Sequence, residues 1–396
     1  MRRREAGGST LVSRLTYAWV TALTTLLRLL PFPARTGLVR VGNPGRDSPV
    51  LLTSNFRLTL ERVKRALKGI DAYLLVANGH GVNVWCASTG GLLTNHDVVS
   101  ALKTSGIDEL VDHRQLILPQ LAATGIEGHV VNEKTGWRVA WGPVEATDVP
   151  AFLDRGLEAT PPMRAVGFPW RRRLEMAVAW AFPISLLTLV VLPFWPEGLL
   201  PLMGFVWALS LLIFLGFPLY ERRLQATGKH TGFILFDLGR HGLPVLMWLG
   251  LLLAGLGIAA LLGELSLKVA LGLGLGSLAI LLILSLDLTG STPTYKSGLH
   301  EDRLLAITLD EELCDGVGLC VQVCPKGVFE LDADRRLAML PGSEGCVQCG
   351  ACIVQCPRDA LHFTEPGGGV VTPEVVREFK LNLIGSRTRS MAGRGG

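Results

Sequence analysis

Cys346-Val347-Gln348-Cys349-Gly350-Ala351-Cys352-Ile353-Val354-Gln355-Cys356-Pro357 is the stretch that decides how this chain is organised. Its C-x2-C-x2-C-x3-C-P spacing wraps a loop around a cubane iron-sulfur cluster. Four-cysteine zinc sites use two separated C-x2-C pairs and do not end in Cys-Pro. Seven of the eight cysteines fall between Cys314 and Cys356, while Cys86 stands alone with a long apolar tract in between. Residues 298–396 are therefore expected to form a ferredoxin-like α+β iron-sulfur domain.

Two-cluster ferredoxins exchange ligands, the last Cys of each motif serving the cluster whose other ligands come from the partner motif. That rule assigns Cys346, Cys349, Cys352 and Cys324 to one complete site, expected to hold a 4Fe-4S cluster. The other site has Cys314, Cys320 and Cys356, with Val317 where a further cysteine would stand. Valine cannot ligate iron. This incomplete site is expected to hold a 3Fe-4S cluster, a 4Fe-4S cluster with one iron on water or Asp315, or nothing.

Moving upstream, Thr289 to Ser297 is rich in Gly, Ser, Thr and Pro and marks a linker. Before it, Met176 to Phe194, Leu199 to Tyr220, Leu243 to Gly263 and Val269 to Leu286 are uncharged. Each is close to the roughly 20 residues a helix needs to cross the hydrocarbon core. With 49% hydrophobic composition in 396 residues, the chain is too apolar to be wholly soluble. A four-helix transmembrane domain over 172–288 is expected, with membrane lipid as a partner. Gly272 and Gly276 form a small-xxx-small pair in its last span.

Arg171, Arg172 and Arg173 precede the first span, Arg222, Arg223, Lys229 and Arg240 separate the second from the third, and Lys296 and Arg303 follow the fourth. The first connection carries only Glu197, and Lys268 is one exception in the third. The positive-inside rule places both terminal domains in the cytoplasm, on a multi-pass protein of the cytoplasmic membrane. Topology thus accounts for the net charge of +4. No basic stripe interleaved with aromatics is present, so no nucleic acid partner is expected. Residues 1–45 read as a tail in which Leu15 to Leu27, flanked by Arg14 and Arg28, forms an interfacial helix.

Residues 46–165 read as a layered, Rossmann-like α/β domain. Strands are expected at Val50–Thr53, Tyr73–Val76, Val82–Trp85, Leu116–Leu118, His129–Val131 and Trp137–Ala140 through Trp141, and an amphipathic helix at Leu58–Leu67. Thr94 with Asp97 has the form of a helix N-cap, and Gly106 would follow that helix. Thr147 or Asp148 caps a closing helix that Gly156 ends. Cys86 then lies at a strand's end, shortly before a helix, where layered α/β folds gather ligands. Taken alone, a single Cys after an apolar strand is a core residue more often than a ligand.

Asn83-Val84-Trp85-Cys86-Ala87 resembles the N-V-W-C-A signature of the corrinoid protein of mercury methylation. Leu52–Phe56, Ala72–Val76 and His113–Gln120 look like the corrinoid domain shared with the large subunit of the corrinoid iron-sulfur protein of CO dehydrogenase/acetyl-CoA synthase. Asp287–Pro293 and the membrane region resemble the mercury-methylation type, and the segment from Leu299 resembles its ferredoxin partner, here fused. The resemblance implies a corrinoid (cobalamin) cofactor with Cys86 as lower axial ligand of cobalt. It implies Thr53, Asn55, Asn83, Val84, Trp85, Ala87, Leu118, Pro119 and Gln120 around the corrin, and His113 as a further contact. It also implies a corrinoid-dependent methyltransferase, a methyl donor protein or the methyl-tetrahydrofolate pathway as methyl source, an electron donor, and mercury(II) as acceptor.

The chain departs from that family at Ser88, Thr89 and Gly90, which replace a small residue, Gly and Lys. It departs again at Val317, and at the C-terminus, where paired cysteines are absent. A membrane electron-transfer protein and a one-carbon methyl carrier are the competing expectations.

Overall fold

The computed structural model describes residues 11–27, 30–224, 238–285 and 305–379. Asp287–Pro293, the linker at Thr289–Ser297, Lys229, His230, Lys296, Arg303 and the terminal Met391–Gly396 lie outside the described residues. The chain divides into two compact units, one of residues 1–21, 31–166 and 304–396, the other of residues 22–30 and 167–303.

In the first unit, a five-stranded sheet is built from β1 (Gly37–Val41), β2 (Val50–Ser54), β3 (Ala72–Ala77), β4 (Gln115–Pro119) and β5 (Arg138–Gly142), in the order β1-β3-β2-β4-β5. All pairings are parallel except β1 with β3. Every residue of β2 and β3 is buried, as a sheet covered on both faces requires. Leu52, Leu75 and Leu118 point into one apolar cluster, Leu51, Leu74 and Ile117 into the other, the period of two that alternates side chains across a sheet. Strand order reverses between β2 and β4, so the crevice of a doubly wound fold opens at their carboxyl ends.

Three expectations are corrected. The stretch before residue 46, read as a tail, contributes β1, which pairs Gly37 to Val41 against Val76 to Ala72. Val82–Trp85 is not a strand: α3 spans Val84–Thr89, because the Asn83 side chain accepts the Cys86 amide and caps a helix there. His129–Val131 lies in helix Gly128–Thr135, of which only Val131 is buried, and Gly136 closes it in a left-handed conformation.

Other helices are α1 (Leu11–Leu26), α2 (Arg57–Ala66), α4 (Asn95–Thr104), the corrected α5 (Gly128–Thr135), α6 (Val149–Asp154) and the single turn α7 (Pro161–Arg164). Of these, α1, α2, α4 and α6 follow the pattern read from the sequence, and α7 was not read from it. Thr94 and Asp97 form a reciprocal capping box on α4, satisfying two amides that the helix itself leaves open. Gly106 then turns the chain with φ of 68°.

The same unit contains the cysteine-rich region. Strand β6 (Ala306–Leu309) pairs antiparallel with β9 (Leu361–Thr364), which pairs with β10 (Val370–Val371); β7 (Glu330–Asp332) and β8 (Leu337–Met339) form a hairpin. Two five-residue helices, α13 (Leu319–Val323) and α14 (Ala351–Gln355), lie between them in the chain, and α15 (Pro373–Phe379) follows.

The second unit holds α8 (Trp170–Leu187), α9 (Leu199–Leu215), the short α10 (Glu221–Leu224), α11 (Leu238–Leu261) and α12 (Leu267–Ser285). Four segments, Trp170–Val191, Pro196–Leu215, Gly242–Leu261 and Leu267–Ser285, are long and apolar enough to cross a membrane. Polar side chains inside this unit are paired: Ser210 donates to Ala177 O at 2.8 Å, and Trp248 Nε1 donates to Ser277 Oγ at 3.0 Å. The Gly272–Gly276 pair meets Trp195 and Leu202, which a Cβ on either glycine would strike.

Candidate functional site

Two sites occur in the first unit. At the carboxyl edge of the sheet, Thr53 is the next-to-last residue of β2, Gln120 follows β4, and α3 carries Cys86 in its first turn. Asn83 holds Cys86 twice, its Oδ1 accepting from the Cys86 amide at 2.9 Å and its Nδ2 donating to Sγ at 3.3 Å. The Cys86 side chain is half-buried, whereas its neighbours Val84, Trp85 and Ala87 are buried in the apolar core with Leu118. Those four side chains therefore form the wall behind the site. Pro119 is half-buried at the end of β4.

Thr53, Ser88 and Gln120 are each at most 2% exposed. Thr53 Oγ1, Ser88 Oγ and both amide atoms of Gln120 have no hydrogen-bond partner in the structure. Buried polar atoms without partners are costly, at about 1–3 kcal/mol each, and three residues of this kind at one sheet edge point to a ligand. A corrin ring, whose rim bears amide groups, has the matching donors and acceptors, so the residues present fit a corrinoid.

Asn55 has a different role from the one expected. Its Oδ1 accepts from the Gly79 and Gly81 amides, both at 2.9 Å, so its side chain fastens the loop after β3. His113 precedes β4 and pairs through Nε2 with Ser48 O at 3.0 Å, ahead of β2. It therefore lies at the amino ends of the parallel strands, opposite the edge that carries Thr53 and Gln120.

The segment Gln120–Thr124, a 3-10 turn, packs against α3 on one side and against α13 and α14 on the other. A Cβ on Gly125 would lie 2.4 Å from Ser88 O, so the chain after this turn passes directly over the Cys86 helix.

The second site is the set of seven cysteines. Cys324, Cys346, Cys349 and Cys352 line a single pocket with Lys326, Phe329 and Phe363 among its walls. These are the four thiols that the exchange rule assigns to the complete cluster. Amides are aimed at the sulfurs: Val328 N donates to Cys324 Sγ at 3.3 Å and Gln348 N to Cys346 Sγ at 3.4 Å. Such donors tune the potential of a bound cluster.

Burial pushes the Cys320 thiol up to about 12, against a hydrogen bond from the Val321 amide, with neighbouring Cys314 and Cys356 adding to the rise. Burial raises Cys352 as well, reinforced by Cys349, Cys346, Cys324 and Cys320. Thiols in such places ionise when a metal takes the proton's place. Among the described residues, no three His, Cys, Asp or Glu side chains meet on one metal-ion position.

The two cysteine motifs repeat one backbone. Gly318 caps α13 at φ 75°, ψ 10°, and Gly350 caps α14 at φ 77°, ψ 0°. Cys324 ends the first helix at φ −74°, ψ 117°, and Cys356 the second at φ −71°, ψ 116°. Val317, one residue before Gly318, thus stands where Cys349 stands before Gly350. Val317 is 52% exposed, while Cys349 is 8% exposed.

Residues 19–153 match the model of the CO dehydrogenase/acetyl-CoA synthase delta subunit. Residues 313–361 match that of a 4Fe-4S dicluster domain. Among curated relatives, the acetyl-CoA decarbonylase/synthase complex subunit gamma of Archaeoglobus fulgidus is 35% identical over 127 residues, covering 32% of this chain and 27% of the relative. The same subunit of Methanopyrus kandleri is 36% identical over 127 residues, with the same coverage. That of Methanothermobacter thermautotrophicus is 38% identical over 121 residues, 30% of this chain and 26% of the relative. The chain thus spans about a quarter of the length of the relatives it matches.

The protein is accordingly multidomain, with an α/β domain similar to the CO dehydrogenase/acetyl-CoA synthase delta subunit, a 4Fe-4S dicluster domain and four apolar helices long enough to cross a membrane. Sequence reasoning missed Gln355, the Gln120–Thr124 turn as an interface, and Gly125. Ser88 was visible only as a departure from the family signature.

Proposed function

We propose that this protein is a membrane-anchored corrinoid iron-sulfur protein that transfers a methyl group, with Cys86 as the thiolate ligand of cobalt. The observation that carries this reading is the setting of Cys86. It is half-buried at the switch point of the sheet, held by Asn83, beside buried polar atoms of Thr53, Ser88 and Gln120 that lack partners.

A bound corrinoid would supply methyl-transfer chemistry at cobalt, and Cys86 would serve as a soft, electron-rich thiolate ligand suited to it. The protein's own residues have three tasks. Asn83 orients the sulfur, the unpaired groups bind the corrin rim, and Val84, Trp85, Ala87 and Leu118 exclude water from behind. Cys324, Cys346, Cys349 and Cys352 would hold the complete 4Fe-4S cluster, and Cys314, Cys320 and Cys356 a 3Fe-4S cluster.

Mercury(II) is the acceptor implied by the resemblance, with a methyl donor protein or methyl-tetrahydrofolate as source and a separate electron donor. The four apolar helices would anchor the protein in the cytoplasmic membrane, both terminal domains facing the cytoplasm, since Arg171–Arg173, Arg222 and Arg223 flank the spans on that side.

The test is reconstitution of the purified, detergent-solubilised protein with cobalamin. The wild type should show a cobalt-thiolate absorption spectrum that Cys86→Ala lacks; an identical spectrum in the two proteins refutes the ligand assignment. The exposed Val317, at the position of a cluster ligand, favours a second reading, a membrane electron-transfer protein or a one-carbon methyl carrier. Incubation with methyl donor and mercury(II) separates them, because Cys86-dependent methylmercury would exclude both.

A further inference from the structure

Beside its apolar contacts, the iron-sulfur region is hydrogen-bonded to the α/β domain by one buried side chain. Gln355, the last residue of α14, is 4% exposed. Its Nε2 donates to Ala123 O at 2.8 Å and to Ile126 O at 2.6 Å, and its Oε1 accepts from the Gly128 amide at 3.2 Å. All three partners belong to the stretch from the 3-10 turn to the start of α5. The amide thus satisfies two carbonyls and one N–H that secondary structure leaves open, across more than 220 residues of chain.

The docking has a direction. Cys349, Val347, Ala351 and Val323 belong to the same apolar cluster as Trp85 and Leu118, with Cys86 packed against it. Cys320, Cys324, Cys346 and Cys352 belong instead to the cluster internal to the iron-sulfur region. Because the two motifs share one backbone, the Cys349 corner of the complete site and the Val317 corner of the incomplete site are equivalent positions. The first is covered by the α/β domain and the second is exposed.

We propose that Gln355 is a positioning residue that locks the iron-sulfur region onto the Gln120–Gly128 segment, with the complete thiolate set turned toward the domain carrying Cys86. This deepens the function proposed above and rests on it for its purpose. The region is then a fixed neighbour of the corrinoid site rather than a module swinging on its linker, and the open Val317 corner is the face presented outward. A side chain with two donors and one acceptor is required at position 355. Leucine has neither and glutamate lacks the donors.

The experiment is hydrogen-deuterium exchange on full-length, cluster-reconstituted protein in detergent, comparing wild type with Gln355→Leu and Gln355→Glu. In Gln355→Leu the Gly128 amide should exchange roughly tenfold faster or more, with protection also lost across 121–128, while iron and sulfide content stay at the wild-type level. In Gln355→Glu, the carboxylate would face two carbonyl oxygens, so protection should be lost at neutral pH and regained only in part as the medium is acidified, because the neutral carboxyl supplies one donor where the amide supplies two. A purely space-filling role would leave no such pH dependence. Unchanged Gly128 exchange in Gln355→Leu overturns the proposal, as does pH-independent exchange in Gln355→Glu should the leucine variant fail to fold. The measurement needs no corrinoid. A protein that docks in this way yet binds no cobalamin would keep this inference and lose the cobalt reading.

Discussion

Asn83 and Cys86 form a closed pair, one amide side chain accepting from the cysteine's N–H at 2.9 Å and donating to its sulfur at 3.3 Å. The first contact starts a helix and the second aims the thiol, so one residue couples local folding to the chemistry of the site. Only a side chain with an acceptor and a donor on adjacent atoms can do both.

Replacement of Asn83 separates the two roles. Asn83→Ala should lower stability by about 1 kcal/mol through loss of the cap. Asn83→Ser keeps a capping acceptor and should melt close to wild type, but with the sulfur no longer held by Nδ2. Thermal unfolding of the two variants checks the first claim, and the cobalt-thiolate spectrum after cobalamin loading checks the second.

Gly125 passes so close to Ser88 O that a methyl group cannot be accommodated without displacing α3. Gly125→Ala should therefore cost about 1–3 kcal/mol, the range for overpacking a fitted contact. It should also weaken cobalamin binding while leaving iron content unchanged. Binding titration with parallel iron analysis tests this, and wild-type affinity would show that the turn and α3 are not coupled.

Val317 stands at a ligand position of the repeated motif and is half exposed, so a smaller polarisable side chain there disturbs no packing. Val317→Cys should complete the second thiolate set and convert a three-iron cluster into a four-iron one. Electron paramagnetic resonance of the oxidised protein should show the three-iron signal in the wild type and its loss in the variant, with iron per chain rising accordingly.

Gly272 faces the Trp195 ring, 2.3 Å from where a Cβ would sit, whereas Gly274 has nothing within 4 Å. Both lie in α12, so alanine raises helix propensity equally at either position, by up to about 1 kcal/mol. Gly272→Ala should nonetheless melt at a lower temperature than Gly274→Ala in detergent, because only the former pushes Trp195 out of place. Equal melting temperatures would remove the close-approach role of Gly272.

The elements legible beforehand were those whose evidence is local. The capping box at Thr94 and Asp97, the short apolar runs of β2, β3 and β4, the four apolar stretches and the two cysteine motifs are each written within a few dozen residues. Val82–Trp85 misled because its apolar run is short enough to suit a strand or a buried helix, and the Asn83 cap decided between them. Strand β1 was missed because it is a short edge strand with no fully buried residue, its apolar Leu38, Val39 and Val41 interrupted by Arg40.

Residue types and spacing alone therefore marked the candidate cluster cysteines, the gap among them at Val317 and the membrane-length helices, because bonding capacity and helix length are properties of short segments, while Cys86 was marked by the resemblance of Asn83–Ala87 to a known signature. Tertiary structure alone decided that Thr53, Ser88 and Gln120 share one sheet edge with unpaired polar atoms. It also moved His113 to the opposite end and used Asn55 for a loop. Above all, it joined Gln355 to residues more than 220 positions away. Such pairings follow from strand order and packing, which bring together groups whose sequence separation carries no sign of their contact.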